Sequence, residues 1–332
     1  MLLNKNNEVE DLINFSTDQF VEIFSDIFNQ KYSDEIIEDF LNKLNQANLP
    51  LNSFTGAVEV LKQRMIKINA PKNCLDLCGT GGDQLNTLNI STAVSFILAT
   101  QIHVAKHGNK AISSLSGSAD IFQELLIPIT DDKNILEKNL ISKKLIFLFA
   151  PYFHPSLKIV SSIRKKIKQP TIFNFLGPLL NPAQTNFQLL GTSRLDTIHK
   201  IAMILSQNPD NQSYVVHGLD GMDEISLSQE SYLVEVKDGK IFQPIIIDPK
   251  KYRFKLIDHQ EIIGKDPKYN ANQLINLLNA QPSSYRNIVV LNSAFALRLI
   301  NKVKSIEDGI ELAQAIIDSK QALKIYQDLV SQ

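Results

Sequence analysis

Residues 74–93 hold the densest set of groups able to do chemistry. Cys74-Leu75-Asp76-Leu77-Cys78 is short and apolar enough to be a buried strand. Gly79, Gly81 and Gly82, with Thr80 between and Asp83 after, then stop any regular element and let backbone N–H groups turn toward a common point. After a short connector, Asn89, Ser91 and Thr92 stand before the apolar run 93–99, which reads as a buried helix. Small polar residues there are N-cap candidates, and a helix start offers free N–H groups and partial positive charge to an anion. Strand, glycine turn and hydroxyl-rich helix start together make a phosphate holder. The spacing fits neither the dinucleotide fingerprint nor the P-loop, and a glycine cluster alone serves equally well as a tight turn.

A second stretch repeats the logic. Ile102–Ala105 reads as a short strand ending in Lys106-His107-Gly108-Asn109-Lys110. Ser113, Ser114, Ser116, Gly117 and Ser118 then lead into a helix from Ala119 to Leu126, with Asp120 in its first turn. Lys106 would sit at a strand's C-terminal end, where open parallel sheets gather ligands. Taken singly, Lys106 reads as a solvated surface charge and His107 as a structural histidine. Further on, the strand 213–217 ends in Gly218-Leu219-Asp220-Gly221-Met222-Asp223-Glu224. Adjacent carboxylates in a loop repel one another unless they are solvated or share a cation, and oxygen ligands suit Mg²⁺. Arg164 falls inside the apolar stripe of a helix over 156–168, made by Leu157, Val160, Ile163 and Ile167. It either snorkels from the stripe's edge or meets a planar anion bidentately, and snorkelling is the simpler reading.

Three amphipathic helices precede all of this, over 17–29, 33–44 and 53–68, so the first seventy residues are expected to be helical only. From residue 72 strands alternate with helices, the pattern of an α/β domain with a parallel sheet. Leu145–Ala150 is a further buried strand, and 170–182 is an apolar segment closed by Gly177-Pro178 and Asn181-Pro182. Lys237-Asp238-Gly239-Lys240 signals a hairpin between strands over 231–236 and 241–247, and helices over 271–280, 286–300 and 306–331 finish the chain without evident chemistry.

Composition sets bounds around these motifs. The 332 residues suffice for two domains, and 34 basic against 35 acidic residues leave a net charge of −1, with no basic field for nucleic acid. Hydrophobic content of 44% with 21% charged residues excludes a disordered chain. The first eleven residues carry no signal-peptide core and no apolar run is long enough to cross a bilayer, so a soluble cytoplasmic protein is expected. Cys74 and Cys78 are four apart on one predicted strand, face one side, and are expected to be core residues rather than a disulfide or a zinc site.

The motifs Gly79–Asp83, Asn89–Thr92, Lys106–Asn109, Ser116–Asp120, Phe173–Leu179 and His217–Glu224, in that order, give the chain its resemblance to the anthranilate phosphoribosyltransferases of tryptophan biosynthesis. The likeness implies an architecture shared with the class II pyrimidine nucleoside phosphorylases: a small helical domain (1–70 with 155–188) and a larger α/β domain (71–154 with 189–332) on a mostly parallel sheet. It also implies a homodimer through the helical domain. The implied reaction joins anthranilate to phosphoribosyl pyrophosphate. The implied contacts to phosphoribosyl pyrophosphate are Gly79, Gly81, Gly82, Asp83, Thr87, Asn89, Ile90, Ser91, Thr92, Lys106, His107, Gly108, Asn109, Ser113, Ser114 and Ser118. Arg164, Asn109 and Gly79 would meet anthranilate in a slot shaped by Gly177 and Pro178 and lined by His107 and His154, so the resemblance reverses the snorkelling reading. Ser91, Asp223 and Glu224 resemble Mg²⁺ ligands. Five positions depart from the family's pattern: Gln84 and Leu126 where glycine is usual, Leu88 for an aromatic, Leu115 for a polar residue, and Pro170 for an arginine. A nucleoside phosphorylase and a non-catalytic nucleic-acid-binding relative are the alternatives; the first usually lacks the Asp-Glu pair, and the second predicts a basic groove.

Overall fold

The structure is a computed structural model that describes residues 2–3, 7–111 and 115–331. Ser113 and Ser114 lie outside the described residues. Eight strands form one sheet: β1 (Cys74–Gly79), β2 (His103–Gly108), β3 (Leu145–Phe149), β4 (Phe187–Gly191), β5 (Gln212–Gly218), β6 (Ser231–Lys237), β7 (Lys240–Ile241) and β8 (Ile245–Ile247). The order is β3-β2-β1-β4-β5-β6-β7, with β8 also paired to β6. The first five strands are parallel and the β5–β6 pair is antiparallel, so the α/β, mostly parallel expectation holds. The chain runs from β1 outward to β3 and then returns to β4 on the other side of β1. Where the strand order reverses, crossover helices leave in opposite directions and open a crevice at the C-terminal strand ends.

Period-two alternation decides what each strand buries. Leu75 and Leu77 of β1 pack with helices Ile90–Leu98, Ser284–Leu299 and Ile306–Asp318. Cys74 faces the opposite layer with Ala105, Ile146 and Leu148, and both cysteines are free and buried. The N-terminal helices Thr17–Phe28, Asp34–Gln46 and Leu51–Arg64 share a phenylalanine-rich core. The short helix Ile172–Leu176 inserts into it, with Phe173 6.1 Å from Phe24 and Phe175 6.3 Å from Phe54. Among the described residues no helix is long and apolar enough to cross a membrane.

Several local expectations need correction. The helix Lys133–Lys143 gave no signal because its apolar residues do not share a stripe: Leu136 and Leu140 are buried, but Ile135 and Ile141 are exposed. The expected helix over 306–331 is two, Ile306–Asp318 and Gln321–Val330, divided at Lys320 in the left-handed region (φ 60°). The helix over 156–168 shrinks to a 3₁₀ turn, Pro155–Lys158, followed by Ser161–Ile167. The segment over 170–182 contains the helix Ile172–Leu176 and a 3₁₀ turn, Gly177–Leu179. Gln84 (φ 60°) and Leu126 (φ 59°) adopt the left-handed conformation, which accounts for glycine being usual at those positions in the similar family.

Candidate active site

The glycine turn leaves the end of β1 and crosses the crevice. Gly81 and Gly82 hold φ of 67° and 80°, and the Gly81 N–H donates to Asp223 Oδ2 at 2.6 Å. Gly79 and Gly191 are register partners at the ends of β1 and β4. A Cβ on Gly79 would lie 2.0 Å from Asp223 Oδ2, and one on Gly191 would lie 1.5 Å from the Asp223 carbonyl oxygen. Two facing glycines thus make the notch in which the acidic loop after β5 sits.

Of the two carboxylates of that loop, Asp223 is buried and Glu224 half-buried. Asp223 is 9% exposed, and Glu224 Oε1 accepts the Ser91 N–H at 3.1 Å, at the start of helix Ile90–Leu98. Burial, and then the charge of Asp83, push Asp223 up to about 7. Burial, followed by Asp223 and Asp83, raises Glu224 well above the ordinary carboxylate range. The solvated acidic turn is therefore ruled out: these groups are desolvated and crowded.

Lys106 and His107 are not loop residues. Both lie within β2, 2% and 5% exposed, so the reading of Lys106 as a surface charge fails. Lys106 Nζ donates to Leu77 O at 2.6 Å and Ser91 Oγ at 3.1 Å, and burial lowers its pKa. His107, on the opposite face, places Nδ1 3.1 Å from Gly177 O and its ring centroid 5.1 Å from that of His154.

Burial holds His107 down to about 3 and His154 to about 4, so both rings are neutral near pH 7. Their unfolded value is near 6.5, so unfolding takes up protons on the acid side. Their stabilising contribution is complete above about pH 6.5 and drains as pH falls toward the folded values, at about 1.4 kcal/mol per pH unit per ring. Urea unfolding at pH 7, 6 and 5 should show this slope, and His154→Phe should flatten it by one ring's share. Parallel slopes for variant and parent would refute the assignment.

The glycine turn, the helix start, β2 and the acidic pair enclose one cavity of about 250 Å³. Gly79, Gly81, Gly82, Asp83, Thr87, Asn89, Ile90, Ser91, Thr92, Lys106, His107, Gly108, Asn109, Ser118, Asp223 and Glu224 all line it. Thr92 Oγ1 is buried without a hydrogen-bond partner. Arg164, His154, Gly177 and Pro178 do not line this cavity. They stand behind it on the helical side, linked through contacts: His107 to Gly177 O, and Arg164 Nη2 to Asn174 Oδ1 at 3.4 Å, Asn174 itself being a lining residue. Arg164 is half-buried with its guanidinium 5.7 Å from the Phe173 ring centroid, and it has no carboxylate partner among the described residues.

The C-terminal helices, which gave no sign of chemistry, reach the site. Asn270 Nδ2 donates to Asn89 Oδ1 at 3.1 Å and Tyr285 Oη to Asn89 O at 2.9 Å, which leaves Asn89 Nδ2 to bond Ser116 O at 3.1 Å. Asn292 Oδ1 accepts the Ile225 N–H at 3.0 Å, next to Glu224. Helical periodicity cannot separate such polar residues from those on a solvated face. Gly191 and Asp76 did leave signals, a glycine ending a buried strand and a carboxylate at the centre of one.

The donor set fits Mg²⁺: a hydroxyl and two carboxylates, all hard oxygens, crowded together where burial and mutual repulsion disfavour their charged forms.

Comparisons with known proteins place the chain in a family. The profile of the glycosyl transferase family, a/b domain, matches residues 71–323. A Bacillus cereus protein named anthranilate phosphoribosyltransferase is 38% identical over 299 residues, 90% of this chain and 87% of its own length. One of the same name from Petrotoga mobilis is 37% identical over 319 residues, 96% and 92% of the two chains. The crystal structure of the anthranilate phosphoribosyltransferase of Thermus thermophilus superposes with a TM-score of 0.89 at 26% identity, covering 97% of this chain and 98% of that one. The Saccharomyces cerevisiae enzyme in complex with PRPP and Mg gives 0.86 at 25% identity, covering 95% and 92%. With a family profile over most of its length and curated relatives above one-third identity along nearly all of it, the chain belongs to the anthranilate phosphoribosyltransferase family.

Proposed function

We propose that this chain transfers the phosphoribosyl group of 5-phosphoribosyl 1-pyrophosphate to anthranilate, giving N-(5-phosphoribosyl)anthranilate and pyrophosphate, with Mg²⁺. The observation that carries the reading is the cavity in which a glycine turn, a helix start, a buried lysine and the adjacent carboxylates Asp223 and Glu224 converge. A polyphosphorylated sugar suits such a set, since its anionic oxygens meet N–H groups and an ammonium while its metal meets the carboxylates.

In this reading Gly79–Asp83 hold the pyrophosphate through backbone N–H groups. Asn89, Ser91, Thr92 and Lys106 hold phosphate, and Ser118 adds a hydroxyl at the second helix start. Ser91, Asp223 and Glu224 would hold Mg²⁺, which when bound neutralises charge on the departing pyrophosphate. The amine nitrogen attacks the anomeric carbon as the bond to the pyrophosphate oxygen breaks, and the nitrogen then loses a proton. Donors aimed at the leaving group act where negative charge grows, so they favour the transition state over the ground state. An aromatic amine is neutral and nucleophilic near pH 7, so orientation rather than a strong base is what the protein supplies. On the helical side Arg164 receives the anthranilate carboxylate, with Asn109 as a further contact and Gly177, Pro178, His107 and His154 around the ring. The helical unit (1–70 with 155–188) and the α/β unit (71–154 with 189–332) form the two walls, and two copies pair through the helical unit.

The direct test follows loss of anthranilate fluorescence with phosphoribosyl pyrophosphate and Mg²⁺; no decay at enzyme concentrations near those of substrate would refute the function. Arg164→Ala should raise the KM for anthranilate about 10- to 100-fold, the worth of one charge-assisted pair, and that for phosphoribosyl pyrophosphate less than about threefold. Equal effects on both substrates would remove Arg164 from the carboxylate.

A further inference from the structure

The pairing of β1 with β2 stops early. Cys74 pairs with His103 and Leu75 with Val104, and there the ladder ends. Both strands run on, β1 against β4 as far as Gly79–Gly191 and β2 against β3 as far as Gly108–Phe149. The two central strands therefore part toward their C-terminal ends, directly beneath the cavity. Parting leaves backbone groups that a parallel ladder would have satisfied, and buried orphans cost about 1–3 kcal/mol each.

Three buried side chains take over those groups. Asp76 Oδ1 accepts the His107 N–H at 3.1 Å. Lys106 Nζ donates to Leu77 O at 2.6 Å, and Asn181 Nδ2 donates to Ala105 O at 2.8 Å. Asp76 is fully buried and lines no part of the cavity, and its second oxygen accepts from Cys78 Sγ at 3.4 Å. The N–H that Asp76 holds belongs to the peptide joining Lys106 to His107. Consecutive strand residues point to opposite faces, so this one peptide aims the lysine toward Ser91 and the histidine toward Gly177.

We propose that Asp76 is a positioning residue, whose carboxylate wedges β1 and β2 apart and fixes the peptide from which Lys106 and His107 reach the two substrate sides of the cleft. Asp76 touches neither substrate. Its loss displaces both contacts together, whereas loss of Lys106 or His107 displaces one. The inference rests on the transferase reading for its kinetic consequence and on the hydrogen bond alone for its structural one.

The test compares Asp76→Leu, of similar volume but without an acceptor, with Asp76→Asn, whose Oδ1 can still receive the His107 N–H. Asp76→Leu should raise the KM for both substrates about tenfold or more with kcat changed less, the pattern of a lost uniform contact. Asp76→Asn should hold both within about threefold of the parent, and the His107 amide should keep its hydrogen-exchange protection in Asp76→Asn but lose it in Asp76→Leu. Unchanged KM values in a folded Asp76→Leu, a rise for one substrate only, or an Asp76→Asn as impaired as Asp76→Leu would each overturn the proposal. If Asp76→Leu does not fold, Asp76→Asn decides alone: a rise of about tenfold in either KM, or an unprotected His107 amide, overturns it. A parent chain inert toward both substrates would instead refute the transferase reading, and the amide-exchange comparison would still judge the wedge.

Discussion

Gly191→Ala is expected to lower kcat/KM at least about 100-fold and to lower the Tm by several degrees. The added methyl group would stand 1.5 Å from the carbonyl oxygen of Asp223 and 2.3 Å from its carbonyl carbon. Both partners are backbone, so no side chain can rotate out of the way. Either β4 must withdraw from β1 or the loop carrying Asp223 and Glu224 must lift, and both movements take the carboxylates away from Ser91. A crystal structure of the variant would show which gives. Activity within about threefold of the parent would mean that the acidic loop has no fixed place over Gly191.

Charge removal at the same loop should separate activity from stability. In the double variant Asp223→Asn with Glu224→Gln, both shapes and one acceptor oxygen per side chain persist, but the negative charge does not. Activity at sub-millimolar Mg²⁺ should fall about 1000-fold or more, and the Mg²⁺ titration should shift to higher concentration. Metal-free stability should move the other way. Burial raises the folded-state pKa of both acids, so each ionised form is disfavoured in the folded chain above the unfolded pKa. Neutral replacements relieve that penalty, and the variant should be at least as stable as the parent at pH 8 without divalent cation. An unchanged metal titration would take both residues out of the metal site; a large loss of metal-free stability would show that their hydrogen bonds to the Gly81 and Ser91 N–H groups outweigh their desolvation.

Much of the cavity wall built by the glycine turn and the helix start was legible because its signals are local. The strand-to-glycine-turn-to-helix pattern of 74–93 specifies its own backbone, and the turn's position at a C-terminal strand end follows from alternating strands and helices. The facing of Cys74 and Cys78 to one layer followed from strand period alone, and the parallel character of most of the sheet from the alternation of strands with helices. Local pattern failed wherever burial depends on a distant partner. Lys106 read as a solvated surface charge because a lysine is seldom buried; only the parting of β1 from β2 makes a buried site for its ammonium. Arg164 read as snorkelling because nothing near it in sequence tells where Phe173 and Asn174 will lie.

What the amino-acid order determined by itself, then, is the set of chemical groups and the two turns that carry them, since these depend on residues within a few positions of one another. Tertiary structure alone decided that Gly79 and Gly191 face each other beneath Asp223, that Asn270 and Tyr285 orient Asn89, and that Asp76 reaches His107 across a gap between strands. Each of these contacts joins segments tens to hundreds of residues apart, where geometry is fixed by sheet order and packing and has no trace in local periodicity.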